Sequence, residues 1–170
     1  MSNRKSMTKL PFLGLAALVL ATSAIADPRE TSPNDKSCEN PSLPTMTVRV
    51  TGLKSGSGKV RVQAYGPGGS SFLDKGKWVR RVDMPLNGRR SVEVCVPLPK
   101  PGQYAFVVRH DANANRKSDW NDGGGFSRNP KLSLMGKPSF AQTAVSVPDG
   151  PAKTQVVMNY RQGLSVRPIG

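Results

Sequence analysis

The chain has 170 residues, with 25 Lys and Arg against 11 Asp and Glu, one His, two Cys and a formal charge of +14. That length holds one domain with short extensions, and so few His and Cys exclude multi-Cys zinc modules and dense disulfide scaffolds. The charge excess bears on partners and solubility, not on fold.

The chain opens on Arg4, Lys5 and Lys9, then an apolar run from Phe12 to Ala21, then Ala24-Ile25-Ala26 before Asp27. This order predicts a secretory signal peptide over residues 1–26, too short to span a bilayer comfortably. Cleavage after Ala26 leaves 144 residues; three basic residues leave with the peptide, so +14 becomes +11. The expected location is periplasmic or secreted, with no transmembrane segment after cleavage. In that compartment Cys38 and Cys95 can pair. Residues 27–44 carry four Pro and almost nothing apolar, and read as an irregular lead-in. A Cys38–Cys95 bridge would pin this lead-in across the outer face of the strand Ser91–Val96. It would close a loop of about 57 residues, worth roughly 4 kcal/mol in the chain-entropy account.

From Thr45 the pattern has period two. Met46, Val48 and Val50 alternate with polar residues, as do Val60, Val62 and Ala64, and Val92, Val94 and Val96. Trp78–Met84 is a less regular strand, and Tyr104–Val108 is apolar on both faces, as a central strand should be. Thr143, Val145 and Val147 alternate, and so do Val156, Met158 and Tyr160. Breaks such as Asn87-Gly88 and Pro148–Pro151 separate them. The pattern predicts an all-β fold, an antiparallel β-sandwich of about seven strands over residues 45–160, immunoglobulin-like or transthyretin-like. Residues 161–170 have little to pack and are expected to fray. A monomer is expected.

One segment reads as a site. Asp111, Asn113 and Asn115 occupy positions 1, 3 and 5 of a loop, Lys117 offers a carbonyl at position 7, and Asp119 and Asp122 fall at positions 9 and 12. Alternate oxygen donors in a curled loop are the ligand pattern of a calcium site. Arg116 stands where a glycine eases the turn at position 6, Asp122 is shorter than the usual Glu, and Arg109, Arg116 and Lys117 repel a cation. Any Ca2+ affinity should therefore be weak, about 0.1–1 mM. The other reading is an Asx-rich turn whose side chains bond the loop's own backbone. His110 sits beside Asp111 with Ser127 downstream, but no nucleophile elbow accompanies them, and a structural His is the expectation. Gly123–Gly125 are expected to give loop flexibility. Of Trp78 and Trp120, one is expected in the core and the other as a loop clamp.

Four motifs in order carry a family resemblance. They are Gly102-Gln103-Tyr104-Ala105, then His110-Asp111-Ala112-Asn113-Ala114-Asn115-Arg116-Lys117-Ser118-Asp119, then Gly125-Phe126-Ser127, then Pro138-Ser139-Phe140. Over roughly residues 45–160 the chain resembles the bacterial domain-of-unknown-function family 2141, a group of small exported proteins. Ala114 and Arg116 replace glycines usual in that family, and a Glu-bearing segment often found between Asp119 and Gly125 is missing. The resemblance implies an exported β-sandwich without catalysis and supplies no substrate.

Three functional expectations follow. The first is an exported, non-catalytic interaction module facing an envelope protein or an ion through the 111–122 loop. The second is a binder of envelope polyanions, glycan or lipopolysaccharide, through Arg49, Lys59, Arg61, Arg80, Arg81, Arg89 and Arg90. Nucleic acid is disfavoured, since few aromatics interleave with these charges. The third is a carbohydrate-active enzyme, which lacks a visible acid/base pair.

Overall fold

A computed structural model describes residues 27–169. The expected signal peptide lies outside them. Eleven strands run in chain order: β1 (Glu30–Thr31), β2 (Thr45–Thr51), β3 (Lys59–Tyr65), β4 (Arg80–Pro85), β5 (Val92–Pro97), β6 (Gly102–Asp111), β7 (Gly123–Phe126), β8 (Ala144–Val147), β9 (Pro151–Val157), β10 (Asn159–Gln162) and β11 (Ser165–Pro168). A short α-helix, α1 (Phe140–Thr143), precedes β8 and is held by a capping box between Ser139 and Gln142, and a 3-10 turn lies at Lys36–Glu39 in the lead-in.

Two packed sheets form, as the alternation predicts. The smaller has the order β5-β2-β9, and the larger β1-β4-β3-β6-β7-β10-β11, with β8 also pairing β6. The inward residues are mostly valines. Val48, Val50, Val94 and Val156 come from the smaller sheet and meet Val60, Val62, Val82, Phe106 and Val108 of the larger, all buried. Interdigitated β-branched side chains on two pleated faces give a thin, dry core.

A second, smaller core lies on the outside of the larger sheet. Tyr65, Trp78 and Ala105 are buried there, with Phe72 and Phe140 packed against them. Phe72 sits edge-on to Tyr65, Phe126 and Phe140, at centroid distances of 5.4, 6.5 and 5.9 Å. The segment between β3 and β4 and helix α1 thus cover one end of this outer face. The other end stays polar.

Four expectations need correction. Among the described residues the strands number eleven rather than about seven, and two pairs, β2 with β9 and β1 with β4, are parallel. Gly123–Gly125 are not a flexible loop but strand β7 beside β6. Their missing side chains make room: a Cβ on Gly123 would lie 2.5 Å from the Tyr160 ring, and one on Gly125 2.6 Å from Val156 Cγ1. The tail does not fray. Gln162 pairs with Ser165 across a two-residue turn opened by Gly163 at φ +61, and Ile169 packs against the main core. The lead-in is irregular yet ordered, so folded structure runs beyond residues 45–160 at both ends. Its β1 joins β4 at the edge of one sheet, and its Cys38 is disulfide-bonded to Cys95 of the other, with Cα atoms 6.2 Å apart. Among the described residues no helix is long and apolar enough to cross a membrane.

Candidate functional site at the end of strand β6

Strand β6 runs down the middle of the larger sheet, and its last residues begin the loop. Alternation sends His110 inward, opposite Val60, and Arg109 and Asp111 outward. His110 is fully buried, with Nδ1 2.6 Å from the Tyr160 hydroxyl and Nε2 2.9 Å from the Ser57 carbonyl. A carbonyl only accepts, so Nε2 carries the proton and Nδ1 accepts from Tyr160. The Tyr160 oxygen in turn accepts from the Lys54 backbone N–H at 3.0 Å. His110 is therefore a satisfied joint between the β2–β3 loop and β10. Ser127 lies elsewhere in the network. Its hydroxyl accepts from the Phe106 N–H and donates to the Thr143 carbonyl. His110 and Ser127 thus make their hydrogen bonds to different partners.

Asp111 is fully buried. Its Oδ2 accepts the Arg116 backbone N–H at 2.9 Å and lies 3.6 Å from the Arg109 guanidinium, while Oδ1 is buried with no partner. Arg116 has φ +66 and Ala114 φ +56. The chain thus takes the left-handed turn at position 6 without the glycine that favours it. Asn113 Oδ1 accepts from Asn115 N, and Asn115 Oδ1 from Lys117 N, at 3.2 and 2.8 Å. Both Asn amides donate to Asp119 Oδ2, at 2.9 and 3.0 Å. The backbone N–H of Asn121, then the Asn113 amide, hold the Asp119 carboxyl below its ordinary range. Asp122 is pushed the other way by burial, with the charges of Asp119 and Asp111 adding. Among the described residues no three Asp, Glu, His or Cys side chains converge to hold a metal by themselves. Any cation would draw on the Asn oxygens and the Lys117 carbonyl as well.

Of the two tryptophans, Trp78 is buried and Trp120 is 71% exposed. Arg161 stacks on the Trp120 ring at 3.4 Å, tying the loop to β10.

The seven basic residues read as one surface are divided among several places. Arg49 lies in a shallow depression on the outer face of the smaller sheet, beside Glu93 and Lys153. Arg80 is on the inward side of β4, opposite Ala64. Arg89 and Arg90 spend their guanidinium groups on carbonyls of Leu86, Pro85, Leu53 and Lys54. Lys59, Arg61 and Arg81 do share a face, but all three turn onto Asp83. Arg61 holds it bidentately at 2.8 and 2.9 Å. Burial alone would raise the Asp83 carboxyl; the bonds from Arg61 and Arg81 outweigh it and hold the group far below the ordinary range. Sequence reading missed this hub, although Arg61 opposite Asp83 in a β3–β4 hairpin would have shown it.

Fold and loop together define a small two-sheet β-sandwich that presents an Asx-rich loop at one end of its larger sheet. The chain belongs to a bacterial family described as uncharacterized protein conserved in bacteria (DUF2141), which it matches over residues 48–155. No curated protein and no solved structure matches it.

Proposed function

We propose that the chain is an exported, non-catalytic binding module whose 111–122 loop takes up a calcium ion weakly. One observation carries this reading: the Asp111 carboxylate is wholly buried, and its Oδ1 has no partner. A buried carboxylate oxygen left unsatisfied is costly, and a hard cation is the partner its neighbours suit. Asn113, Asn115 and Asp119 already crowd together, and the raised Asp122 carboxyl would gain from a nearby positive charge. The scattering of Arg49, Lys59, Arg61, Arg80, Arg81, Arg89 and Arg90 speaks against a polyanion site built from those seven. The engagement of His110 and Ser127 speaks against acid/base chemistry by them.

Thermal melting with and without about 10 mM calcium tests the proposal. With a dissociation constant near 0.5 mM the midpoint should rise by about 3–6 °C. Magnesium at the same concentration should do less, because it gives up its water reluctantly. The exposed-loop variant Asp119→Asn keeps one acceptor oxygen and should lose the rise. An unchanged wild-type midpoint, or an equal rise in Asp119→Asn, overturns the calcium reading.

A further inference from the structure

The last third of the chain has a charge pattern of its own. From Gly123 onward the sequence holds Arg128, Lys131, Lys137, Lys153, Arg161 and Arg167 but a single acidic residue, Asp149. Asp149 lies in the β8–β9 turn, next to Gly150, which sits beside Pro41 of the lead-in. Within this region the segment from Lys131 to Met135 and the tip of the β10–β11 hairpin line one open, mostly apolar depression of about 560 Å³. Leu134, Met135 and Leu164 stand at its lip, exposed by 41, 97 and 90%. Lys131 and Arg167 line it too, and no acidic residue does. Three large apolar side chains held out in water beside cations that meet no carboxylate among the described residues are not the ordinary scatter of a soluble surface.

From this we infer that the 131–135 segment and the hairpin tip dock on an anionic lipid surface. Leu134, Met135 and Leu164 enter the headgroup boundary, and Lys131 and Arg167 meet the lipid phosphates. Charge complementarity selects this occupant. Two copies of the chain pressed together here would set cations against cations, with no carboxylate to answer them. Met135 and Leu164 also stand out from a bend and from a hairpin turn, which suits shallow insertion better than the clasping of a peptide. Each cation brought near an anionic membrane raises partitioning roughly fivefold, and the apolar side chains add area that the lipid boundary takes from water.

The experiment uses the chain from Asp27 onward, which contains every residue of both cores, so that the N-terminal apolar run does not contribute. It is floated with phosphatidylcholine vesicles, with and without phosphatidylglycerol. Binding should require phosphatidylglycerol and weaken with salt. The double variant Met135→Ser/Leu164→Ser and the double variant Lys131→Gln/Arg167→Gln should each lower partitioning by about tenfold or more. Arg49→Gln, on the outer face of the smaller sheet, should leave it unchanged. These positions are exposed, and unchanged melting curves check that each variant is folded. Absence of binding to phosphatidylglycerol vesicles overturns the inference, as does equal loss in Arg49→Gln or wild-type binding by both double variants. So does a concentration-dependent dimer that Met135→Ser/Leu164→Ser dissolves, which would make a second copy the occupant.

Discussion

On β3 and β4, three cations converge on the one carboxylate of Asp83. In the 131–137 segment and the β10–β11 hairpin, Lys131, Lys137 and Arg167 reach no carboxylate among the described residues. The side chains are of the same kind, but their settings differ. Around Asp83 the cations are only 13–20% exposed and bound, so they help hold β3 to β4. In the C-terminal region Lys131 and Arg167 are exposed beside apolar neighbours, and Arg167 bonds the neutral Gln162 side chain. Part of the excess charge counted from composition is therefore a cross-strand clamp near one edge of the larger sheet, and another part a cationic surface at the other.

The largest test of this contrast is Asp83→Ala. It leaves Lys59, Arg61 and Arg81 facing one another without their anion, and should cost about 2–3 kcal/mol in a denaturant melt. A loss under half that would show that the cluster is only surface decoration. Acid gives a second test. The folded Asp83 carboxyl lies far below its unfolded range, so its contribution is fully present above about pH 4 and is lost as the pH falls further. The stability gap between wild type and Asp83→Asn should therefore narrow steadily below that point; a gap that widened instead would reverse the assigned sign. The smallest expected effect is at the other edge. Lys131→Gln/Arg167→Gln should change stability by no more than about 0.5 kcal/mol. A cost as large as that of Asp83→Ala would erase the distinction between the two regions.

The strands that the sequence announces are those where one face is buried and the other wet, because only then does side-chain chemistry alternate. Strands β2, β3 and β5 are of that kind. The turn at Asn87-Gly88 was also legible: both residues have positive φ, and Arg89 N bonds Leu86 O. Strand β7 was invisible because its pairing depends on what Gly123 and Gly125 lack. The deciding partners, Tyr160 and Val156, come more than thirty residues later. Strand β11 escaped notice because Ser165–Pro168 is an edge strand, held by backbone pairing and by Gln162, whose side chain bonds the Arg167 side chain and the Arg167 and Pro168 carbonyls. At the loop, the spacing of oxygen donors was readable. The burial of Asp111 was not, since it depends on packing around the end of β6. There Gly58 lies so close to the Asp111 and Ala112 carbonyls that no side chain would fit.

The parallel pairing of β2 with β9 sets the order in which this protein can be made. The central strand of the smaller sheet is its earliest, Thr45–Thr51, and one of its two neighbours is the latest, Pro151–Val157. A chain emerging from its amino end carries β2 with an unfilled edge until β9 has followed, about a hundred residues later. Closing so long a loop is slow and is rewarded only at the finish. Completion of the smaller sheet is thereby deferred until β9 has been made, and a chain cut short before Pro151 lacks the strand that completes it.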